Sequence, residues 1–322
     1  MKKISIRIVM TAICLILCVQ PVMGAQLVIP GGQIIGLELH NHTVSVAAFD
    51  QVLGKGAQDC GLQIGDQITA VNGKAVHSAE DIRNALTKTD GEALLSVRRN
   101  GKNKQLRIKP EITENGPRLG VYLKQGITGV GTVTWYEPDS GTFGALGHGV
   151  NDGSGSLVTM EQGKVYNATV LTVKAGKSGT PGQLMSAMAG TDEIGSLSKN
   201  TAQGVFGKAN LSCTEQMLPV GSREDVHTGN AIIRSTVAGN QVQEYSVEIM
   251  KVYPNSGPSG RNMIVKVTDP ELLAATGGIV QGMSGSPIIQ DGKLVGAVTH
   301  VLVNDPTTGY GIFIENMLDA AA

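Results

Sequence analysis

Apolar and polar positions alternate over short runs through most of this chain. Leu37, Leu39, Val44 and Val46 fall on one side of such a run, because successive side chains of a strand point to opposite faces. Gly65 to Lys74 reads as a strand between two turn signals, with Asn72-Gly73 as a tight hairpin turn. Leu94–Arg99 and Lys104–Ile108 form a second hairpin around Asn100-Gly101. Between them Ser78-Ala79-Glu80-Asp81 opens a helix that runs to about Leu86, with Ser78 placed as the cap and Asp81 at capping-box spacing. Beyond Arg118 the strand-like runs are Gly131–Tyr136, Ala168–Val173, Ser246–Val252, Met263–Val267, Ile279–Val280 and Leu294–Val298. Frequent turn signals separate them, which predicts a sandwich or barrel of antiparallel strands. The chain is expected to be mainly β.

The N-terminus follows a different pattern. Lys2, Lys3 and Arg7 precede an uncharged run from Ile8 to Val19, followed by Pro21 and the small residues near Ala25. This is the order of an export signal. The run is shorter than the ~20 residues of a spanning helix, but extending it from Ile4 to Gly24 keeps a retained membrane anchor as the alternative. Composition then narrows the classes. Apolar residues make up 41% and charged residues 16%, enough to bury a core and to exclude wholesale disorder. A net charge of −1 gives no electrostatic reason to expect a nucleic-acid partner. Cys14 and Cys18 lie in the signal, and Cys60 and Cys213 fall in different predicted domains, so a disulfide scaffold is excluded. His-x-x-x-His, paired cysteines and phosphate-cradling glycine loops are missing from the sequence, and no metal or cofactor is expected.

The predicted organisation is a signal or anchor at 1–25, a small α+β domain at 26–110, a linker at 111–118 marked by Pro110 and Pro117, and a second domain at 119–322. The first domain contains Gly61-Leu62-Gln63-Ile64-Gly65-Asp66-Gln67-Ile68-Thr69-Ala70-Val71-Asn72-Gly73, which resembles the signature of PDZ domains. Such domains bind a peptide as an added strand on a sheet edge. The loop from Gly31 to Gly36 is expected to offer backbone N–H groups to a peptide carboxylate, making Ile34, Ile35, Gly36 and Leu37 the candidate peptide-binding residues.

The second domain carries the candidate chemistry. Gly282-Met283-Ser284-Gly285-Ser286-Pro287 precedes a hairpin ending in Gly296-Ala297-Val298-Thr299. This resembles the nucleophile loop of chymotrypsin-like serine peptidases. A serine hydroxyl needs a base to become a nucleophile, and flanking glycines let the loop aim its own N–H groups at a developing oxyanion. Gly282 and Ser284 are the candidate oxyanion donors. Met283 stands where digestive peptidases place an acid that pairs with a new N-terminus, so this loop must be ordered another way. The candidate base is His148, exposed by Gly147 and Gly149. His40, His42 and His77 belong to the PDZ-like region, His227 to a polar loop, and His300 to the cleft wall after the serine. The acid is open on spacing alone: Asp152, Asp192, Asp225 and Asp269 all lie between histidine and serine. Gly278 and Ile279 are expected at the floor of the specificity pocket, where no acid stands, so small or apolar side chains are expected at the cut.

The signal segment, the PDZ-like domain, Phe143-Gly144-Ala145-Leu146-Gly147-His148-Gly149, Val267-Thr268-Asp269-Pro270 and the stretch from Gln281 to Val301 together resemble the stage IV sporulation protein B peptidase family. That resemblance implies a triad of His148, Asp269 and Ser284, with Asp269 fifteen residues before the serine. It also implies self-cleavage, and cleavage of a membrane-associated regulatory protein that signals late sigma-factor activation during endospore formation. The site of action would be the space between forespore and mother-cell membranes. Two other functions fit the residues: a non-enzymatic PDZ scaffold whose Gly-Ser loop is only structural, and, less well, an esterase, whose serine usually sits in G-x-S-x-G on a strand-to-helix elbow.

Overall fold

The computed structural model describes residues 26–152, 155–212, 216–257 and 260–322. The expected signal or anchor segment and Cys213 lie outside the described residues. No helix among the described residues is long and apolar enough to cross a membrane.

In chain order, β1 (Leu27–Pro30) leads into the long strand β2 (Ile34–Phe49). There follow α1 (Lys55–Asp59), β3 (Gln67–Val71), β4 (Lys74–Ala75), α2 (Ala79–Thr87), β5 (Ala93–Arg99), β6 (Lys102–Ile108) and the small hairpin β7 (Glu111–Thr113) and β8 (Gly116–Arg118). A second long strand, β9 (Val121–Glu137), precedes β10 (Thr142–Ala145), β11 (Gln162–Lys174), β12 (Gln183–Thr201), β13 (Gly204–Ala209) and β14 (Leu218–Pro219). The last part is β15 (Gly229–Ser235), β16 (Gln243–Val252), β17 (Met263–Val267), α3 (Pro270–Thr276), β18 (Pro287–Gln290), β19 (Lys293–Leu302), β20 (Asp305–Phe313) and α4 (Ile314–Ala321).

Two closed antiparallel barrels result. In the first, β2 pairs with β9 and β11, and the ring closes through β10, β13 and β12. Its core holds Ile35, Leu37, Leu39, Val133, Phe143, Val165 and Val205. The second runs β15-β16-β17-β20-β19-β18, around Ile233, Val247, Met263, Val265, Ile288 and Val298.

The PDZ unit is inserted into the first barrel rather than placed before it, which corrects the boundaries expected at 110 and 118. Strands β2 and β9 remain paired from Ile34↔Thr132 in the barrel to Phe49↔Val121 in the PDZ unit. A bulge between Leu39 and Val44 and Gly126 in a left-handed conformation, φ +84, mark the crossing point. A Cβ on Gly126 would stand 2.1 Å from Leu39 O, so the two backbones meet there at glycine distance. The PDZ core is separate and includes Val44, Val46, Ile68, Ile82, Leu95, Val97 and Leu119. The segment expected to be a linker forms the β7–β8 hairpin.

Local chemistry sets the PDZ turns as anticipated. Ser78 Oγ accepts the Asp81 N–H at 3.0 Å and caps α2. Asn72-Gly73 and Asn100-Gly101 each have positive φ at both residues, the requirement of a type I′ hairpin turn. Asp66 of the signature is buried; it accepts Arg99 Nε and Nη2 at 2.6 Å and the Gln63 N–H at 2.9 Å. Its role is to tie the signature loop to β5.

The peptide-binding assignment at Ile34, Ile35, Gly36 and Leu37 is corrected as well. All four are paired with β9, Ile35, Gly36 and Leu37 are paired with β11 on the other side as well, and the three apolar ones are buried. A strand with both edges occupied has no free N–H groups for a peptide. Val121–Gln125 of β9 pairs only with β2 and is one open edge of the PDZ sheet, β6 at the other end being the second. The β9 edge follows Arg118-Leu119-Gly120, with Gly120 at φ +72.

Candidate active site

Ser284 and His148 come from different barrels, and the loops that carry them approach each other at the seam, where a Cβ on Gly285 would stand 2.5 Å from Leu146 N. The end of β10 delivers the histidine through two consecutive left-handed residues, Leu146 at φ +73 and Gly147 at φ +68. A non-glycine residue in this region is strained by about 1–3 kcal/mol and is held by its surroundings. Here the hold is tight: Leu146 donates its N–H to Thr132 O at 3.2 Å, and its side chain is buried. A Cβ on Gly147 would lie 2.9 Å from Thr299 Cγ2, which places the histidine turn directly on β19. On that strand His300 lies beside His148, with ring centroids 5.2 Å apart.

The His148 ring is set up to be a base. Its Nδ1 lies 2.9 Å from Gly149 O. A carbonyl can only accept, so Nδ1 carries the proton and the Nε2 lone pair is left free. Burial pushes the pKa of His148 below its ordinary 6.5, with the Gly149 contact opposing. The ring is therefore neutral at neutral pH. His300 is exposed at its outer edge, yet desolvation, with smaller contributions from His148 and Arg261, lowers its pKa to about 4. A protonated His148 cannot take a proton from serine. kcat/KM is therefore expected to fall on acidification with a midpoint below 6.5, as a pH–rate profile on a short peptide would read. The same shift costs stability in acid: below 6.5 the unfolded chain takes up a proton that the folded ring resists, so stability declines as pH drops through that value.

The serine is half-buried, and its Oγ donates to Thr299 O at 2.9 Å. No hydrogen bond joins it to His148 among the described residues. Rotation about one side-chain bond redirects the hydroxyl, and catalytic hydrogen bonds often tighten only with substrate bound. Around the serine, the loop backbone is pinned at every carbonyl. Gln281 O accepts the Leu184 N–H, Met283 O the Ser286 N–H, and Ser284 O the Thr132 N–H. Gly282 O and Gly285 O accept the hydroxyls of Thr132 and Thr134 at 2.7 and 2.8 Å. Met283, in place of the acid of digestive peptidases, is fully buried in the second barrel's core, worth roughly 1.5–3 kcal/mol as an anchor. The Met283 and Gly285 N–H groups bond to Val280 O and Val298 O. The amides of Gly282 and Ser284 alone in this turn have no hydrogen-bond partner among the described residues. They are the two groups an oxyanion hole requires.

A family model described as SpoIVB peptidase S55 matches residues 115–318. The chain belongs to the SpoIVB peptidase S55 family. It is a serine endopeptidase. A PDZ domain model matches residues 55–99, inside the inserted unit. None of the curated proteins compared matches the chain. Among solved structures, the PDZ domain of the SdrC-like protein from Listeria monocytogenes is 25% identical over 26% of this chain and 88% of that one, TM-score 0.23. The active form of the Rv3671c protease from M. tuberculosis is 15% identical over 61% of this chain and 73% of that one, TM-score 0.35. The HtrA-type protease AlgW with a decapeptide is 14% identical over 65% of this chain and 57% of that one, TM-score 0.36.

Asp269 is not brought to the histidine in this S55 peptidase. It is the N-cap of α3: Oδ1 accepts the N–H groups of Glu271 and Leu272 at 3.0 Å, and Oδ2 accepts that of Ser246 at 3.2 Å. Chain order left Asp269 one of four candidates and the family resemblance singled it out, and neither says where its carboxylate points. Asp225 is likewise engaged: Lys293, its strongest partner, and Ser222 hold its carboxyl at about 2. The orienting role at His148 falls to the Gly149 carbonyl. Accordingly, Asp269→Asn, which keeps an Oδ1 cap, is expected to leave kcat within about threefold. Asp269→Ala should cost about 1 kcal/mol of stability in a denaturant titration. A loss near 10⁴-fold in kcat for the asparagine variant, the size seen when a triad acid is neutralised, would restore Asp269 to the triad.

The expected pocket floor is partly core. Ile279 is buried and donates its N–H to Pro306 O at 2.7 Å. A Cβ on Gly278 would stand 2.1 Å from the same oxygen. Arg261 lies over the Tyr310 ring at 5.2 Å, beside His300, so the cleft wall carries positive charge. A separate cavity of about 1020 Å³ opens between the PDZ unit and the first barrel, lined among others by Gln63, Arg98, Lys124 and Glu161. It contains neither Ser284 nor His148. Thr132 and Thr134 escaped the reading of the sequence; the signal available was a Thr-x-Thr pair on one face of an otherwise apolar strand.

Proposed function

We propose that Ser284 is the nucleophile, that His148 is the base, and that the Gly282 and Ser284 amides form the oxyanion hole of this peptidase. The observation that carries this is the loop itself: five consecutive carbonyls are pinned, while the N–H groups of Gly282 and of Ser284 itself have no partner among the described residues. Substrate displaces the serine from Thr299 O, His148 Nε2 takes the hydroxyl proton, and Oγ attacks the scissile carbonyl. The two amides stabilise the oxyanion, and His148 returns the proton to the leaving amine. The cationic wall near His300 and Arg261 disfavours Lys or Arg at the cut and supports small or apolar side chains there.

The substrates proposed are the chain itself and a membrane-associated regulatory protein, cut outside the cytoplasmic membrane as a signal for late sigma-factor activation in endospore formation. Membership of the S55 family and the export-signal pattern of residues 1–25 support this reading. The open β9 edge at Val121–Gln125 is the proposed docking strand for substrate peptide. The test is self-processing: wild type should convert to discrete fragments with a defined mature N-terminus, while Ser284→Ala stays full-length. Fragments from the alanine variant would overturn the nucleophile assignment.

A further inference from the structure

The structure assigns Thr132 and Thr134 as positioning residues of the nucleophile loop, standing in for the activating acid that Met283 replaces. This rests on the reading of Ser284 as nucleophile and adds how the loop is held competent. Every polar group of Thr132 is used at the seam. Its N–H donates to Ser284 O at 3.1 Å, its Oγ1 donates to Gly282 O at 2.7 Å, and its carbonyl accepts the Leu146 N–H at 3.2 Å. One residue therefore ties the serine loop to the turn that delivers His148. Two positions along the same face of β9, Thr134 Oγ1 donates to Gly285 O at 2.8 Å. Both threonines are buried, at 1% and 0% exposure, so water cannot substitute for either hydroxyl.

The consequence is directional. The Gly282 and Ser284 N–H groups lie in the peptide planes of the Gln281 and Met283 carbonyls, which accept from Leu184 and Ser286. Thr132, by fixing the Gly282–Met283 plane between them and the Ser284–Gly285 plane after them, restricts rotation of the two amide-bearing planes. A loop free to flip those planes loses its oxyanion donors, and removing a single donor costs about 10²–10³-fold in kcat. Digestive peptidases order the loop by an ion pair that forms after cleavage. Here the order comes from neutral hydroxyls on the partner barrel, present as soon as the two barrels pack.

The test uses the full chain with Thr132→Val, Thr134→Val and the serine variants at both positions, assayed on a short peptide and by the rate of fluorophosphonate inactivation. Valine keeps the shape and removes the donor. We expect kcat and the inactivation rate to fall about 10–100-fold for Thr132→Val, with KM within about twofold and the acid limb of the pH profile unmoved. Thr132→Ser should return kcat to within about threefold. Full activity in a folded Thr132→Val protein, or failure of serine to rescue, would overturn the assignment. If valine prevents folding, Thr132→Cys keeps a weak S–H donor: an intermediate kcat supports the role, and wild-type kcat overturns it. Turnover persisting in Ser284→Ala would instead sink the underlying nucleophile reading, which separates the two failures.

Discussion

Ser284→Ala is expected to abolish fluorophosphonate labelling and lower kcat by about 10⁴–10⁶-fold, while the protein stays folded. The argument for retained folding is specific. The hydroxyl makes one hydrogen bond, to Thr299 O, a contact worth about 0.5–1.5 kcal/mol net. The loop's other contacts belong to its backbone and to Met283, none of which the substitution touches. The argument for lost activity is that without the nucleophile only the oxyanion donors and binding remain, which in serine peptidases leave about 10³–10⁴-fold over water. His148→Ala should lower activity by a similar factor, and the double variant should be little worse than either, because the two groups act in one proton transfer. Labelling of Ser284 that survives in His148→Ala at an unchanged rate would remove the histidine from the mechanism.

Gly285→Ala is expected to be strongly destabilising, because it combines a left-handed backbone with a close approach of the two barrels. At φ +97 a side chain is strained by about 1–3 kcal/mol. The new Cβ would also stand 2.1 Å from Thr132 O and 2.5 Å from Leu146 N. Both neighbours are backbone, so neither can swing aside, and overpacking of this kind adds about 1–3 kcal/mol. The sum predicts a loss of roughly 2–6 kcal/mol in a denaturant titration. Gly292→Ala is the control: its φ is +73 and nothing lies within 4 Å of the added Cβ, so strain acts alone there. Equal losses at the two positions would refute the close approach of the barrels at Gly285.

The parts of the fold that short-range chemistry specifies could be read directly. The Ser78 cap and the Asn-Gly hairpin turns need only their own neighbours, and each is found where its residues placed it. The family resemblance was equally legible in the motifs around His148 and Ser284. The insertion was not. Alternation shows which residues of a strand face inward, but not which core they enter: Ile34 packs into the second barrel's core and the adjacent Ile35 into the first. Nor does it show that β2 and β9 each serve two domains. The same blindness moved the expected peptide edge from β9 to residues 34–37.

Motifs in the sequence resemble those of the S55 peptidases and of PDZ domains, and glycines around a serine and a G-D turn constrain the backbone locally. Which groups hold the serine and the histidine in place was decided only by packing two barrels together. The Asp269 cap and the contact of His148 with Gly149 O are local, whereas that step brought Thr132 and Thr134 from some 150 residues away. Hydrogen bonds of such long sequence separation depend on the relative placement of whole strands, and no local pattern records it.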